Sequence, residues 1–151
     1  MPALRPYRPD DLDALYAICL QTGDASKDAT PLHSDHQLVG HIYSAPYGVL
    51  EPENVFVAED EAGVAGYIVG THDSNRFAER LEWEWWPALR ARYADPSGMT
   101  EADRGRVAAI MRPETTPADI VAGYPAHIHM NLLSRLRGQR VGTRLLAMWV
   151  K

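Results

Sequence analysis

Apolar residues near the start of the chain recur at helical spacing. The residues that share one helix face, at positions i, i+3, i+4 and i+7, are Leu12, Leu15, Tyr16 and Cys19. Asp10 precedes this run and is predicted to cap the helix, and Asp13 completes a capping-box-like pair with it. Gly23 is predicted to end the helix, because glycine tolerates the backbone conformation found there.

The middle of the chain changes from strand-like to helical patterning. Residues 55–59 and 64–72 are rich in β-branched and aromatic side chains, and Gly63 closes the turn between them, which predicts a β-hairpin. Residues 73–125 have helical character with repeated proline breaks. Three tryptophans of this segment, Trp83, Trp85 and Trp86, either pack the segment together or form a wall of a pocket.

Strict alternation of polar and apolar residues returns at residues 126–133 and predicts a strand. The residues on its apolar face are Ile128, Met130 and Leu132, and those on its polar face are His127, His129 and Asn131. A turn and a helix follow, and the apolar stripe of that helix consists of Val141, Leu145, Met148 and Trp149. Since no repeat or linker divides the chain, we expect one α/β domain over residues 1–151.

Composition excludes several classes of protein. The net charge is −5 and no basic stripe is interleaved with aromatic residues, so we expect no nucleic-acid partner. The single cysteine, Cys19, excludes an internal disulfide framework and fits a reducing compartment. The N-terminus lacks the apolar run of a secretion signal, and no stretch reaches the ~18 apolar residues that span a membrane. We therefore expect a soluble, cytoplasmic protein without a membrane partner.

The stretch RGQRVG, residues 137–142, lies between the last predicted strand and the last predicted helix. Unpaired backbone N–H groups at a helix N-terminus bind anions, and the helix dipole favours negative charge there. Gly138 and Gly142 would let the backbone approach a phosphate closely, while Arg137 and Arg140 add charged donors. The stretch is neither a P-loop, since it lacks GKS or GKT, nor a GxGxxG dinucleotide fingerprint.

RGQRVG resembles the Q/R-x-x-G-x-G/A signature of the GNAT superfamily of acetyl-CoA-dependent N-acetyltransferases. It matches at Arg137 and Gly142, and Arg140 stands where the first signature glycine is expected. The stretches LRPYRPDDLDALYAICLQTGDASKDAT, VFVAEDEAGVAGYIVGT and HIHMNLL resemble the acetyltransferase-like C-terminal domain of O-GlcNAcases and its stand-alone bacterial relatives. This resemblance, which covers essentially the whole chain, implies an α/β (α+β) GNAT fold. Its sheet would be mixed and mostly antiparallel, flanked by helices, with a long helical insertion before the fourth strand.

The resemblance also implies acetyl-CoA as the co-substrate, and we expect no metal. In GNAT proteins the coenzyme pyrophosphate sits on the backbone of the signature turn, and the pantetheine arm pairs with the end of the fourth strand. The residues that this assigns to the coenzyme are Leu132, Leu133, Arg137, Gly138, Gln139, Arg140, Val141, Gly142 and Thr143. We expect the Arg140 guanidinium to contact a phosphate rather than to crowd the turn.

The same resemblance places the amine acceptor beside the fourth strand. His129 is the candidate general base, and Asn131, which cannot accept a proton, would position the substrate or a water molecule. Asp24 and Asp28 lie in a loop that often borders the acceptor site in this superfamily. The His127-x-His129 spacing also permits a metal site, although this would need at least one further ligand.

The implied activity is transfer of acetyl from acetyl-CoA to an amine by direct attack. The alternative is a catalytically inactive pseudo-acetyltransferase that serves as a protein-interaction module. GNAT folds usually continue beyond the signature helix with further strands that are not in these residues, so we expect a truncated chain. Its fourth strand would then expose an edge that invites a homodimer, and Leu145, Met148 and Trp149 would lack packing partners.

Overall fold

The computed structural model describes residues 1–151 and contains a single four-stranded sheet. The strands, in spatial as well as chain order, are β1 (Ala3–Pro6), β2 (Phe56–Asp60), β3 (Gly63–Thr71) and β4 (His127–Leu132). All three pairings are antiparallel. The predicted α/β (α+β) class is confirmed, and so is the β2–β3 hairpin, in which Gly63 has a φ of 112° that favours glycine.

The chain forms eight α-helices. They are α1 (Leu12–Gln21), α2 (Leu38–Tyr43), α3 (Ala45–Leu50), α4 (Ser74–Glu84), α5 (Trp86–Arg92), α6 (Glu101–Met111), α7 (Ala118–Gly123) and α8 (Val141–Trp149). Helices α1 and α3 pack on one face of the sheet and α8 packs on the other. Strand β3 is therefore buried on both faces, with Tyr67 in the first core and Ile68 in the second. No helix has the length and apolar character needed to cross a membrane.

The start of α1 corrects the predicted cap. A short 3-10 turn, Pro9–Asp11, precedes the helix, and the carboxylate of Asp11 rather than Asp10 accepts the backbone N–H of Arg8 at 2.8 Å. The reason lies in β1, where the Arg5 guanidinium bonds to Asp11 at 2.8 and 2.9 Å. This ion pair with Arg5 lowers the pKa of Asp11 and draws the chain into the turn.

The prediction that α8 lacks packing partners is wrong. Leu145 is fully buried and Trp149 is largely buried, in one apolar cluster with Ala65 and Ile68 of β3. The Trp149 ring also stacks on His72 at 4.5 Å, and its Nε1 donates to the carbonyl oxygen of Asn54 at 2.9 Å. Helix α8 is thus anchored by the sheet of this chain alone, which fixes the turn in front of it.

The predicted helical insertion before the fourth strand is confirmed by α4–α7. Its core is a cluster around Trp86, Leu89 and Tyr93 that also takes in Leu38 of α2. Two side-chain caps start its helices: Asp73 accepts the N–H of Arg76, and the Thr100 hydroxyl accepts the N–H of Asp103. The insertion leaves a cavity between its helices and β4.

Candidate active site

Strand β4 connects the two parts of the candidate site. Its pairing with β3 places His129 opposite Val69 and Asn131 opposite Tyr67. Because side chains alternate along a strand, His127, His129 and Asn131 share the face that meets α1 and α3, as the sequence predicted. The strand then runs into a 3-10 turn, Ser134–Leu136, and onward to the start of α8.

The turn before α8 holds a row of unpaired backbone donors. None of the N–H groups of residues 138–143 donates to an acceptor within the protein. The chain reaches this arrangement through two residues with left-handed backbone angles, Gly138 at a φ of 80° and Arg140 at 59°. A Cβ added at Gly138 would meet nothing within 4 Å, so the space beside the turn is open. Unpaired donors at the N-terminus of a helix suit an anionic phosphate group.

Arg140 is the N-cap of α8 and carries a real conformational cost. A residue with a Cβ pays roughly 1–2 kcal/mol to adopt the left-handed region, which explains why a glycine is expected at this position. The Arg140 side chain is exposed and makes no hydrogen bond or ion pair with the protein. Its guanidinium is therefore available to an external anion.

Arg137 and Gln139 are engaged with the protein. Arg137 Nη2 donates to the carbonyl oxygens of Ser26 and Leu132, both at 3.1 Å. This ties the turn to the loop after α1, where Ser26 itself has a left-handed φ of 74°. Gln139 Nε2 donates to the Arg135 carbonyl oxygen at 2.8 Å. These two side chains shape the turn, and its unpaired donors are mostly those of the backbone.

Leu132 and Leu133, the residues near the end of β4 that we expected to contact the coenzyme, differ in whether the backbone N–H is used within the sheet. The N–H of Leu133 donates to the Ala65 carbonyl oxygen at 2.8 Å, so this group is used within the sheet. Since N–H groups alternate between the two edges of a strand, those of Met130 and Leu132 point to the edge that β3 does not cover. The Leu133 side chain instead lines a cleft of about 450 Å³ between the turn and the loop after α1.

The two loop carboxylates are not brought together with His129. Asp28 lines the cleft beside the turn and accepts hydrogen bonds from the Thr30 hydroxyl and backbone N–H, which lower its pKa. Asp24 forms a backbone bridge with Lys27 in the same loop. Neither of them lines the cavity that holds His129.

A second cavity of about 810 Å³ lies between the insertion and β4. His127 and His129 form part of its wall, and α2, α3, α4 and α6 supply most of the remainder. Trp86 is buried and lines this cavity, so both interpretations of the tryptophans hold for it. Trp83, by contrast, is 84% exposed, which neither interpretation anticipated.

His129 is the one histidine on the wall of this cavity whose ring nitrogens have no hydrogen-bond partner. Its ring lies against Tyr43 and Tyr47, with ring centroids 5.9 and 5.7 Å away. Burial, with a smaller contribution from neighbouring His127, lowers the pKa of His129 to about 4, so the ring is neutral near pH 7. Neither ring nitrogen has a hydrogen-bond partner in the protein, and neither is sealed from solvent. A neutral, unpaired imidazole on a cavity wall can accept a proton from a bound molecule.

His127 has no such freedom. Its Nε2 lies 2.6 Å from the Tyr47 hydroxyl and its Nδ1 lies 2.6 Å from the Ser74 hydroxyl. Burial lowers the pKa of His127, and burial also raises that of Tyr47, so both groups are neutral near pH 7. The His127 ring therefore joins α3 and the start of α4 to β4. No group of three or more His, Cys, Asp or Glu side chains is placed to hold a metal ion.

Asn131 is also committed to the protein. Its Oδ1 accepts the Tyr67 hydroxyl at 3.0 Å, and its Nδ2 donates to Thr22 Oγ1 at 2.9 Å. The Thr22 hydroxyl in turn donates to the Ile18 carbonyl oxygen. This chain of bonds fastens the end of α1 to the sheet, so the amide is occupied rather than turned toward a substrate.

Sequence reasoning missed Tyr43, Tyr47, Ser74 and Arg106, all of which line the His129 cavity. Tyr47 and Ser74 lie 80 and 53 positions from His127 along the chain, so no local spacing reveals these bonds. Arg106 comes from α6, where the prediction gave only helical character. The resemblance could not supply them either, because all four residues fall outside the signature turn and the fourth strand.

Comparisons with known proteins give a consistent answer. No protein-family profile matches the chain. The crystal structure of SsHAT is 39% identical, with a TM-score of 0.89, and the alignment covers 99% of this chain and 75% of that one. The O-GlcNAcases of Rattus norvegicus and Mus musculus are each 28% identical over 147 residues, which is 95% of this chain.

The chain spans only 16% of the length of those two O-GlcNAcases, so the likeness concerns one part of each. The likeness nevertheless extends over the β1–α1 region, the hairpin, the insertion and the turn before α8. SsHAT has the same arrangement of elements over almost the whole of this chain. The chain therefore belongs to the GNAT superfamily, as an acetyltransferase-type domain of the O-GlcNAcase-like group.

Proposed function

We propose that this domain binds acetyl-CoA at the turn before α8 and transfers its acetyl group to an amine held in the His129 cavity. The observation that carries the proposal is the course of β4, which leads from an unpaired histidine on a cavity wall directly into a row of unpaired N–H groups. Acyl transfer between two bound molecules requires that they be held close together in the right orientation, and one strand that borders both sites can do this.

The turn fits the coenzyme in its chemistry. The free N–H groups of residues 138–143 can hold the pyrophosphate, and the exposed Arg140 guanidinium can add a charge-assisted hydrogen bond. The open N–H groups of Met130 and Leu132 can pair with the amide groups of the pantetheine arm. Arg137 supports this site by keeping the turn against the loop after α1.

When bound, acetyl-CoA supplies the thioester whose acetyl group moves. The chain holds the amine in the cavity and removes its proton. As the amine nitrogen bonds to the carbonyl carbon, the carbon–sulfur bond breaks and the sulfur leaves as a thiolate. The proton lost by the nitrogen passes to an unpaired ring nitrogen of His129. Burial lowers the pKa of His129 to about 4, so the ring is neutral near pH 7 and has a lone pair free for the proton. The same burial makes the ring a weak base, so the proton moves only as the amine nitrogen gains positive charge in bonding to the carbonyl carbon.

The experiment is an acetyl-transfer assay with acetyl-CoA and a panel of primary amines, run beside a thermal melt with coenzyme A. Binding at 100 times the dissociation constant should stabilise the fold by ~2.7 kcal/mol. His129→Gln should lower kcat by about 10²-fold or more without changing that stabilisation. His36→Gln, a change at an exposed histidine outside both cavities, is the matched control.

Two results would count against the proposal in different ways. Absence of any stabilisation by coenzyme A would contradict the donor site and favour a pseudo-acetyltransferase that serves as an interaction module. Stabilisation without transfer to any amine would retain the donor site and remove the catalytic role of His129.

A further inference from the structure

We infer that the acceptor is an amine that also bears an anionic group, and that Arg106 and Arg112 bind this group at the far side of the His129 cavity. The inference rests on the proposed function and narrows its substrate class. The cavity between the insertion and β4 has charged side chains on its wall, and acetyl transfer by itself does not require them.

The unpaired charges on the cavity wall are mostly those of arginine. The charged side chains that line it are Glu82, Arg106, Arg112 and Glu114. Glu82 is already neutralised by Arg90, which binds it through two hydrogen bonds of 2.8 and 3.1 Å. Arg106, Arg112 and Glu114 form no ion pair, so the wall carries two unpaired guanidinium groups and one unpaired carboxylate. This positive excess occurs in a protein whose net charge is −5.

Arg106 and His129 both lie beside Tyr43. Its Nη1 donates to the Tyr43 hydroxyl at 2.9 Å, and its Cζ lies 5.4 Å from the centre of the Tyr43 ring. The same ring lies 5.9 Å from the His129 ring. One tyrosine thus separates the proton acceptor from the guanidinium. An acceptor whose amine lies at His129 can place its anionic group on Arg106 if the amine and the anionic group are about as far apart as these two side chains.

The cavity that contains Arg106 and His129 is also lined by small and apolar side chains. Small residues line the helices here, and the half-buried Ile42 and Leu81 add apolar surface. The small residues are Ala78 of α4 and Gly105, Ala108 and Ala109 of α6. Such a wall accepts a flat or aliphatic body between two polar ends. Arginine binds carboxylate or phosphate through a planar pair of donors, which a flexible lysine does not offer. Polyamines and lysine-rich peptides would bring further positive charge to this wall and are disfavoured.

The test compares two amines that differ in one charge, 4-(aminomethyl)benzoate and 4-methylbenzylamine. Calorimetry on the full chain should show that the carboxylate compound binds about 10- to 100-fold more tightly, as for a charge-assisted hydrogen bond. With acetyl-CoA, its kcat/KM for acetylation should be higher by a similar factor. Arg106→Gln should remove most of the difference, and Arg112→Gln should reduce it. Arg104→Gln is the control, because this exposed arginine of α6 lies outside the cavity.

Equal binding of the two amines by the wild-type chain would overturn the inference without any variant being needed. So would a preference that survives Arg106→Gln in a chain with an unchanged melting curve. These outcomes are separate from a failure of the proposed function. If neither amine is acetylated, the calorimetric comparison still decides whether the cavity prefers an anionic partner.

Discussion

The Tyr47 hydroxyl lies 2.6 Å from Nε2 of His127, which fastens helix α3 to strand β4 at the edge of the candidate acceptor cavity. Ser74, the first residue of α4, bonds to the other nitrogen of the same ring. Since both hydroxyl groups are held by one imidazole, the walls of the cavity that come from α3 and α4 depend on His127. We regard it as a positioning residue, since it has no free nitrogen with which to meet a substrate.

This relationship can be measured with a double-mutant cycle. His127→Phe should destabilise the fold by ~1–3 kcal/mol, because it leaves two hydroxyl groups without their partner. Tyr47→Phe should cost less in the His127→Phe background than in the wild type, with a coupling of at least ~0.5 kcal/mol. Urea unfolding of the four proteins provides the numbers. Strictly additive effects would show that the hydrogen bond contributes nothing to the link between α3 and β4.

Arg140 offers a test with two separate readouts. Arg140→Gly should raise the free energy of unfolding by about 1 kcal/mol, because glycine adopts the left-handed conformation without strain, whereas Arg140→Ala should not. If the guanidinium contacts a phosphate, both variants should weaken coenzyme A binding by ~1.5–3 kcal/mol. Tighter binding by the glycine variant would mean that the side chain crowds the turn.

Much of the fold was predictable because its elements have local patterns. The β2–β3 hairpin and the helix after RGQRVG were recognisable from alternation, helical spacing and a glycine at a left-handed position. The faces of β4 were also assigned correctly, since a strand alternates whatever its partners are. The resemblance added the order of elements and the helical insertion, which spacing alone does not give.

The parts that failed depend on distant residues. Asp11 replaces Asp10 at the start of α1 because Arg5 of another element selects it. Trp149 is buried because the sheet places Asn54 and His72, which are distant in the sequence, beside its ring. Asn131, which we expected to position a substrate, also bonds to Thr22, 109 positions away, and local spacing does not reveal this partner. The backbone of the turn is thus predictable from the local sequence, whereas the cavity is not, because the insertion supplies its wall.

His41 makes the stability of the fold depend on pH. It is buried, its Nδ1 lies 2.8 Å from the Tyr16 hydroxyl, and its Nε2 has no partner. Burial, with a smaller contribution from Arg92, lowers the pKa of His41 from 6.5 to about 4. Between these values the unfolded chain binds more protons than the folded one. The free energy of unfolding should therefore fall as the pH drops through this window, by at most ~1.4 kcal/mol per pH unit for this group.

Chemical denaturation across this pH window checks the sign and the residue. His41→Gln should flatten the dependence relative to the wild type, and His36→Gln, at an exposed histidine, should leave it unchanged. Part of the slope should remain in the His41 variant, because burial lowers the pKa of His129 in the same way. An unchanged slope in His41→Gln would contradict the assignment.

We propose that the backbone of the turn before α8 holds the coenzyme. Backbone amide NMR of the uniformly nitrogen-15-labelled chain, titrated with coenzyme A, tests it residue by residue. We expect the largest saturable shifts at the amides of residues 138–143, which have no acceptor in the protein, with further shifts at Met130 and Leu132 on the open edge of β4. A titration that leaves residues 138–143 unmoved, or moves only amides elsewhere in the chain, would contradict the account.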